Sequence, residues 1–284
     1  MRSEERPWRL IRSGALPGAM NMALDDALLQ AVADGASPPI LRLYRWQPAT
    51  LTIGYAQKLS GGVDLAACHL AGLDVVRRPT GGRAVLHDCE VTYAVITPCA
   101  PPFGSSVTHN YQVIAAVLQT ALRQLGVTAE LVPGKAHGQQ GKAVCFVAPA
   151  QYELLVEGCK VAGCAQKRRG GAFLQHGSIP LELDLSLLGR ILPAEPDETS
   201  VRLDGVGWLN RFSSRPLSID EVEEMLIESF STGLGITWHE SRPTGQDLAL
   251  AGELCRRFYD NRSWTLHGPG GGAESVRVGG EVLA

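Results

Sequence analysis

Arg77-Arg78-Pro79-Thr80-Gly81-Gly82-Arg83-Ala84-Val85-Leu86-His87-Asp88 is the stretch on which the reading of this chain turns. Two adjacent glycines let backbone N–H groups approach a ligand with no Cβ in the way. The three arginines beside them offer fork-shaped donors for a phosphate or carboxylate. The same pattern also fits a hairpin turn with solvated arginines, and both readings stand at this level. Upstream, residues 73–78 read as a strand. Downstream, 83–87 and 90–96 read as strands, with Val91, Tyr93 and Val95 alternating with Thr92 and Ala94.

Working outward, residues 21–34 predict a helix capped by Asn21, with Asp25 and Asp26 in its first turn. Strands are expected at 40–44 and 49–54, a short helix from Asp64 to Leu70, and a longer one over 109–125. Residues 127–181 read as β structure broken by glycine turns, and 182–216 as irregular. Ser218-Ile219-Asp220-Glu221 is a capping box opening a helix to about Thr232, and 246–259 forms a last amphipathic helix. This mixed order predicts an α+β fold, a mixed β-sheet flanked by helices, and not a regular βαβ alternation. We expect one domain over 1–235 and a short C-terminal helical extension over 236–284, packed on it and ending in a flexible tail.

Composition narrows the function classes. The 45% apolar and 19% charged residues support a packed core and exclude a disordered chain. A net charge of −3 argues against nucleic-acid binding. No apolar run nears the ~20 residues that span a bilayer, and Met1–Pro7 lacks a signal peptide's apolar core. A cytoplasmic protein is expected. The seven cysteines, an odd count, read as free thiols. No C-x-x-C or H-E-x-x-H spacing exists, so no metal is expected. Gly134–Lys142 fails the P-loop spacing, with Ala143 where Ser or Thr should stand, and no cofactor is expected.

Three other positions carry candidate chemistry. Cys145, among Val144, Phe146 and Val147, reads either as a small core hydrophobe or as a nucleophile. Lys160 sits beside Val161 and Ala162. Facing inward it would be costly unless paired or functional, and it could then stabilise a thiolate; facing outward it is an ordinary solvated lysine. His176 lies in the β-like Leu174–Ile179, where a satisfied structural histidine is the commoner case.

Together these segments resemble the lipoate-protein ligase, octanoyltransferase and biotin-ligase family. The resemblance runs in order through Asn21-Met-Ala-Leu-Asp25, the Arg77–Asp88 stretch, Cys145-Phe146…Pro149…Tyr152-Glu153, Lys160-Val-Ala-Gly163…Ala165-Gln166 and Leu174–Ile179. It is strongest to cysteine-dependent octanoyltransferases of the LipM type. The resemblance implies a biotin/lipoate-ligase-like catalytic domain, with Cys145 and Lys160 catalytic. Arg77, Arg78, Gly81, Gly82, Arg83, His87, Gly163, Gln166 and His176 are then the substrate-binding residues. It also implies a reaction: octanoate moves from octanoyl-acyl carrier protein to Cys145 as a thioester, then to the target lysine of a lipoyl domain such as the glycine cleavage H protein.

The oxyanion is expected on backbone amides near Gly81-Gly82 or near Lys160 and Val161, and the acyl wall on apolar residues around 51–53 and 91–95. Because acyl carrier proteins and lipoyl domains are typically acidic, Arg77, Arg78, Arg83, Lys167, Arg168 and Arg169 are expected as a basic rim. Three alternatives remain: an amidotransferase taking octanoyl from the H protein, an ATP-dependent lipoate ligase, and an inactive protein that only binds lipoyl domains. Gly81-Gly82-Arg83, where ligases tend to have three glycines, and the short stretch after residue 235 favour the transferase. Cys164, where the family more often has Ser, departs from the pattern.

Overall fold

The computed structural model describes residues 7–59, 62–132, 153–193 and 205–269. The Cys145 segment and the tail from Gly270 lie outside these residues. The chain begins with β1 (Trp8–Leu16), α1 (Gly18–Ala33), β2 (Ile40–Trp46) and β3 (Thr50–Ile53). Helix α1 starts three residues before the expected Asn21 cap. Pro17 stands at its entry, and a Cβ on Gly18 would lie 2.6 Å from Thr50 Cγ2, so the first turn is pressed against β3. Asn21 is a buried side chain whose amide donates to the Leu16 and Arg45 carbonyls, and Asp25 and Asp26 fall inside the helix rather than in its first turn.

Next come α2 (Leu65–Leu70), β4 (Asp74–Arg77), β5 (Val85–His87), β6 (Glu90–Pro98) and α3 (Val107–Gln124). Asp64 and Ser106 cap α2 and α3 by accepting from Ala67 and His109 backbone N–H groups. Strands β7 (Glu130–Val132), β8 (Glu153–Val156), β9 (Cys159–Lys160), β10 (Gly163–Arg169) and β11 (Ala172–Pro180) make up the expected β-rich middle. Helices α4 (Leu185–Ile191) and α5 (Leu209–Phe212) occupy part of the stretch expected to be irregular. They are too short for periodicity to reveal, and tertiary burial of Leu188, Ile191 and Leu209 supports them. After α6 (Ile219–Leu234), with both halves of its capping box formed, come β12 (Trp238–Ser241), α7 (Gly245–Leu254) with a π-helical turn over Cys255–Tyr259, and α8 (Arg262–His267).

Six strands form the main mixed sheet in the order β10-β11-β6-β2-β1-β12. Strand β12 pairs in parallel with β1, so the segment expected as a helical extension contributes an edge strand to this sheet. Strand β6 lies inside the sheet and is buried on both faces. Val91, Tyr93 and Val95 pack toward α3 and α6, and Ala94 and Ile96 toward α1 and α7. A second sheet, β4-β3-β5, rests on α2 and α4 through Leu51, Leu86, Leu188 and Ile191. In the third, β7-β8-β9, Glu157 and Gly158 both have positive φ. The resulting two-residue hairpin sets Leu155 opposite Lys160. Among the described residues no helix is long and apolar enough to cross a membrane.

Candidate active site

A pocket opens where the main sheet meets β3 and β5. Met22, Trp46, Val85 and Ala165 give it apolar walls, and Thr52, Arg78, His87 and His176 supply polar groups. None of the apolar residues expected as a wall at 51–53 and 91–95 is among those lining the pocket. Strand alternation turns Thr52 and Thr92 toward the pocket, while Leu51, Val91 and Val95 point into separate cores.

His176 is held at both ring nitrogens. Nδ1 lies 2.9 Å from Asp25 Oδ2, and Nε2 lies 2.7 Å from Thr80 Oγ1. Asp25 is fully buried and also accepts from Arg42 Nη1 at 2.6 Å and Tyr44 Oη at 2.8 Å. Burial pushes the Asp25 carboxyl up, but Arg42 and the hydrogen bonds from His176 and Tyr44 outweigh it, and the net shift is down. Burial dominates at His176 and lowers its pKa, despite the opposing pull of Asp25. We therefore assign a neutral imidazole that donates from Nδ1 to ionised Asp25 and accepts at Nε2 from the Thr80 hydroxyl.

His87 repeats this arrangement on the other wall. Its Nδ1 lies 2.8 Å from Glu90 Oε1 and its Nε2 2.9 Å from Thr52 Oγ1. Arg78 Nη1 donates to Thr52 Oγ1 at 3.1 Å. Glu90 also accepts from Trp46 Nε1 at 3.1 Å and from the hydroxyls of Thr92 and Ser178. The Trp46 ring stacks on His87 with 4.1 Å between centroids. With both nitrogens of both histidines engaged by protein side chains, each shapes the pocket and neither has a ring nitrogen available for substrate.

The two leading arginines separate sharply. Arg77 is buried and donates to the carbonyls of Gly54, Tyr55, Gln57, Trp264, Thr265 and Leu266. It ties the end of α8, where helix carbonyls lack intrahelical partners, to the loop after β3. Arg78 lines the pocket and donates to Gly81 O and Arg83 O, both at 2.7 Å. Gly81 and Gly82 are exposed, Gly82 has φ +94°, and a Cβ on Gly54 would lie 1.9 Å from Gly82 O. The expected basic rim therefore loses Arg77 and Arg78 to burial. Lys167 pairs with Asp26 at 2.8 Å, Arg83 and Arg169 are half-buried, and Arg168 is exposed.

Lys160 faces inward. It is buried, and its Nζ lies 2.6 Å from Glu153 Oε1. Leu155 sits opposite Lys160, so Glu153, two residues earlier, shares its face. The backbone amides expected there as an oxyanion site are committed: Lys160 N–H donates to Gly205 O and Val161 N–H to Leu154 O. Gly81-Gly82 is the remaining expected position for that role. Gly163 and Cys164 line the pocket, whereas Gln166 bonds to Gln175 at 3.1 Å and is not among the lining residues. Cys145 lies outside the described residues. Sequence reasoning misses Asp25, Arg42, Trp46, Thr52 and Glu90 as site residues. The one available signal is Asp25 within the Asn21–Asp25 segment, which reads instead as a helix start.

Residues 17–231 match the family model described as the lipoyl protein ligase A/B catalytic domain. Octanoyltransferase LipM of Brevibacillus brevis is 42% identical over 271 residues, spanning 91% of this chain and 98% of that protein. A crystal structure of lipoate-protein ligase A bound with ATP superposes with a TM-score of 0.78 at 28% identity, covering 92% of this chain and 99% of the other. A bi-partite lipoate protein ligase from Thermoplasma acidophilum superposes with a TM-score of 0.76, also at 28% identity, covering 92% and 96%.

Proposed function

The chain belongs to the lipoyl protein ligase A/B catalytic domain family, and from that premise we propose how it works: it is an octanoyltransferase of protein lipoylation that carries the acyl group on Cys145. The observation that carries this reading is the 42% identity, over nearly the whole length of both chains, to a protein named as an octanoyltransferase.

The donor is octanoyl-acyl carrier protein. The Cys145 thiolate attacks the thioester carbonyl; the new C–S bond forms, the old one breaks, and the carrier thiol leaves with a proton. The lysine amine of a lipoyl domain, such as that of the glycine cleavage H protein, then attacks the acyl-enzyme. An amide forms and the thiolate is released. Lys160 stabilises the thiolate and moves the proton between amine and leaving sulfur. Its burial beside Glu153 supports that role, because the carboxylate holds the amine in a fixed place inside the protein. The apolar walls of the pocket suit an octanoyl chain, and the Gly81-Gly82 turn suits the oxyanion.

A second reading, an ATP-dependent lipoate ligase, is favoured by the likeness to the ATP-bound ligase structure. Intact-mass analysis after incubation with octanoyl-acyl carrier protein separates the two. The expected result is a hydroxylamine-sensitive octanoyl adduct that is absent in Cys145→Ala. No adduct, together with ATP-dependent modification of a lipoyl domain by free octanoate or lipoate, overturns the transferase. Competition between octanoyl-acyl carrier protein and octanoylated H protein then tests the donor. Loss of adduct in Lys160→Met, with the fold retained, checks the assignment of Lys160.

A further inference from the structure

Two buried carboxylates on different elements feed hydrogen bonds into one short turn at the pocket. From Asp25 on α1, the path runs through His176 to the hydroxyl of Thr80. From Glu90 on β6, it runs through His87 and Thr52 to Arg78, which grips the carbonyls of Gly81 and Arg83. The turn is thus held at a side chain from one wall and at two carbonyls from the other. Gly54, packed against Gly82 O, closes off movement in a third direction.

We propose that Asp25–His176–Thr80 and Glu90–His87–Thr52 are paired positioning relays for acyl transfer, setting where the Thr80–Arg83 turn and Arg78 meet the reacting carbonyl. The inference rests on the acyltransferase reading of the pocket and adds to it a function for the two histidines other than base chemistry. Two links have a definite direction. Arg78 has only donors, so Thr52 Oγ1 accepts from it, and the same hydroxyl lies 2.9 Å from His87 Nε2. Asp25 is ionised, so His176 donates to it and accepts from Thr80. Hydrogen bonds aligned head to tail polarise and stiffen one another. Misplacing a group that stabilises the transition state lowers the rate with little change in substrate affinity.

The experiment compares Thr80→Val, Thr52→Val, Thr80→Ser and Thr52→Ser with the parent enzyme. Octanoyl product on a lipoyl domain is measured at saturating donor, alongside KM and thermal unfolding. Each valine variant is expected to lose roughly 10- to 100-fold in kcat, with KM nearly unchanged and a modest fall in unfolding temperature from the buried ring nitrogen left without its partner. Each serine variant, which keeps the hydroxyl, is expected to recover most of the rate. Full activity in both valine variants overturns the proposal. So does a loss that follows the unfolding temperature and that serine does not restore, because that pattern belongs to a purely structural role. The assay reads product, and if octanoyl-acyl carrier protein yields none, the same variants are compared with octanoate and ATP as donor. Failure of the carrier donor therefore counts against the proposed function and leaves the relay test readable.

Discussion

Asp25 lies against the guanidinium of Arg42, whereas Glu90 is met by an indole N–H, two hydroxyls and an imidazole. Both carboxylates are buried, and both orient a histidine through Nδ1. At Asp25 one charge answers another, with Tyr44 and His176 filling the remaining acceptor sites. At Glu90 the groups around the carboxylate come from four strands, β2, β5, β6 and β11. The difference shows that a buried carboxylate can be held either by a counter-ion or by enough dipoles, and that the two solutions fail differently. Removing a counter-ion strands a charge, whereas removing one dipole of several leaves the rest in place.

The widest separation is expected between Arg42→Leu and Glu90→Gln. The first leaves Asp25 uncompensated and should cost about 3–5 kcal/mol of stability. The second keeps the side chain's shape and should cost about 1–3 kcal/mol. Urea-denaturation midpoints compare them, and equal losses would break the contrast.

Acid is the next lever. His176 has a folded pKa below 6.5, so the unfolded chain binds the proton first as pH falls. Its contribution is complete above about 6.5 and declines below it. Asp25 has a folded pKa below 3.8, so its contribution persists to about that value and is lost under stronger acid. Stability measured from pH 8 to 3 should therefore fall in two stages, and His176→Gln should remove the upper one.

Arg77→Lys and Arg78→Lys test holding against lining, one residue apart. Loss of the Arg77 fork should cost about 1.5–3 kcal/mol and loosen α8, seen as faster hydrogen exchange over 262–267. Activity per folded molecule should be retained. Arg78→Lys should lower activity with a smaller change in exchange. A smaller effect is expected within the turn. A methyl group added at Gly81 would meet nothing within 4 Å, and its φ is ordinary, so Gly81→Ala should change stability by less than about 0.5 kcal/mol. Gly82, at φ +94°, should lose about 1 kcal/mol or more as alanine. Thermal unfolding distinguishes the two.

Much of this is legible in the chain. The long helices at 107–124 and 219–234 carry apolar faces and side-chain caps, and their ends differ little from the expected ones. The Pro79–Gly82 turn follows from its composition, whereas Lys160 stands open between an inward and an outward face until the fold buries it. The short α4 and the edge strand β12 are hidden because α4 depends on burial against α2 and the second sheet, and β12 on pairing with the distant β1. Asp25 is hidden for another reason: an acid at the start of an apolar helix is the ordinary mark of a first turn.

The sequence by itself determined the kind of chemistry. Arg77–Asp88, Cys145, Lys160 and His176 identify the family, because side-chain identity in a fixed order is a local property of the chain. Tertiary structure alone decided what those residues touch. His176 meets Asp25 across 151 positions, and Arg77 meets the end of α8 across 187. Adjacent arginines divide into a staple and a pocket wall because successive residues at the end of a strand face opposite ways. Buried donors and acceptors must find partners wherever the fold brings them together, and no local pattern in the chain states which partners those are.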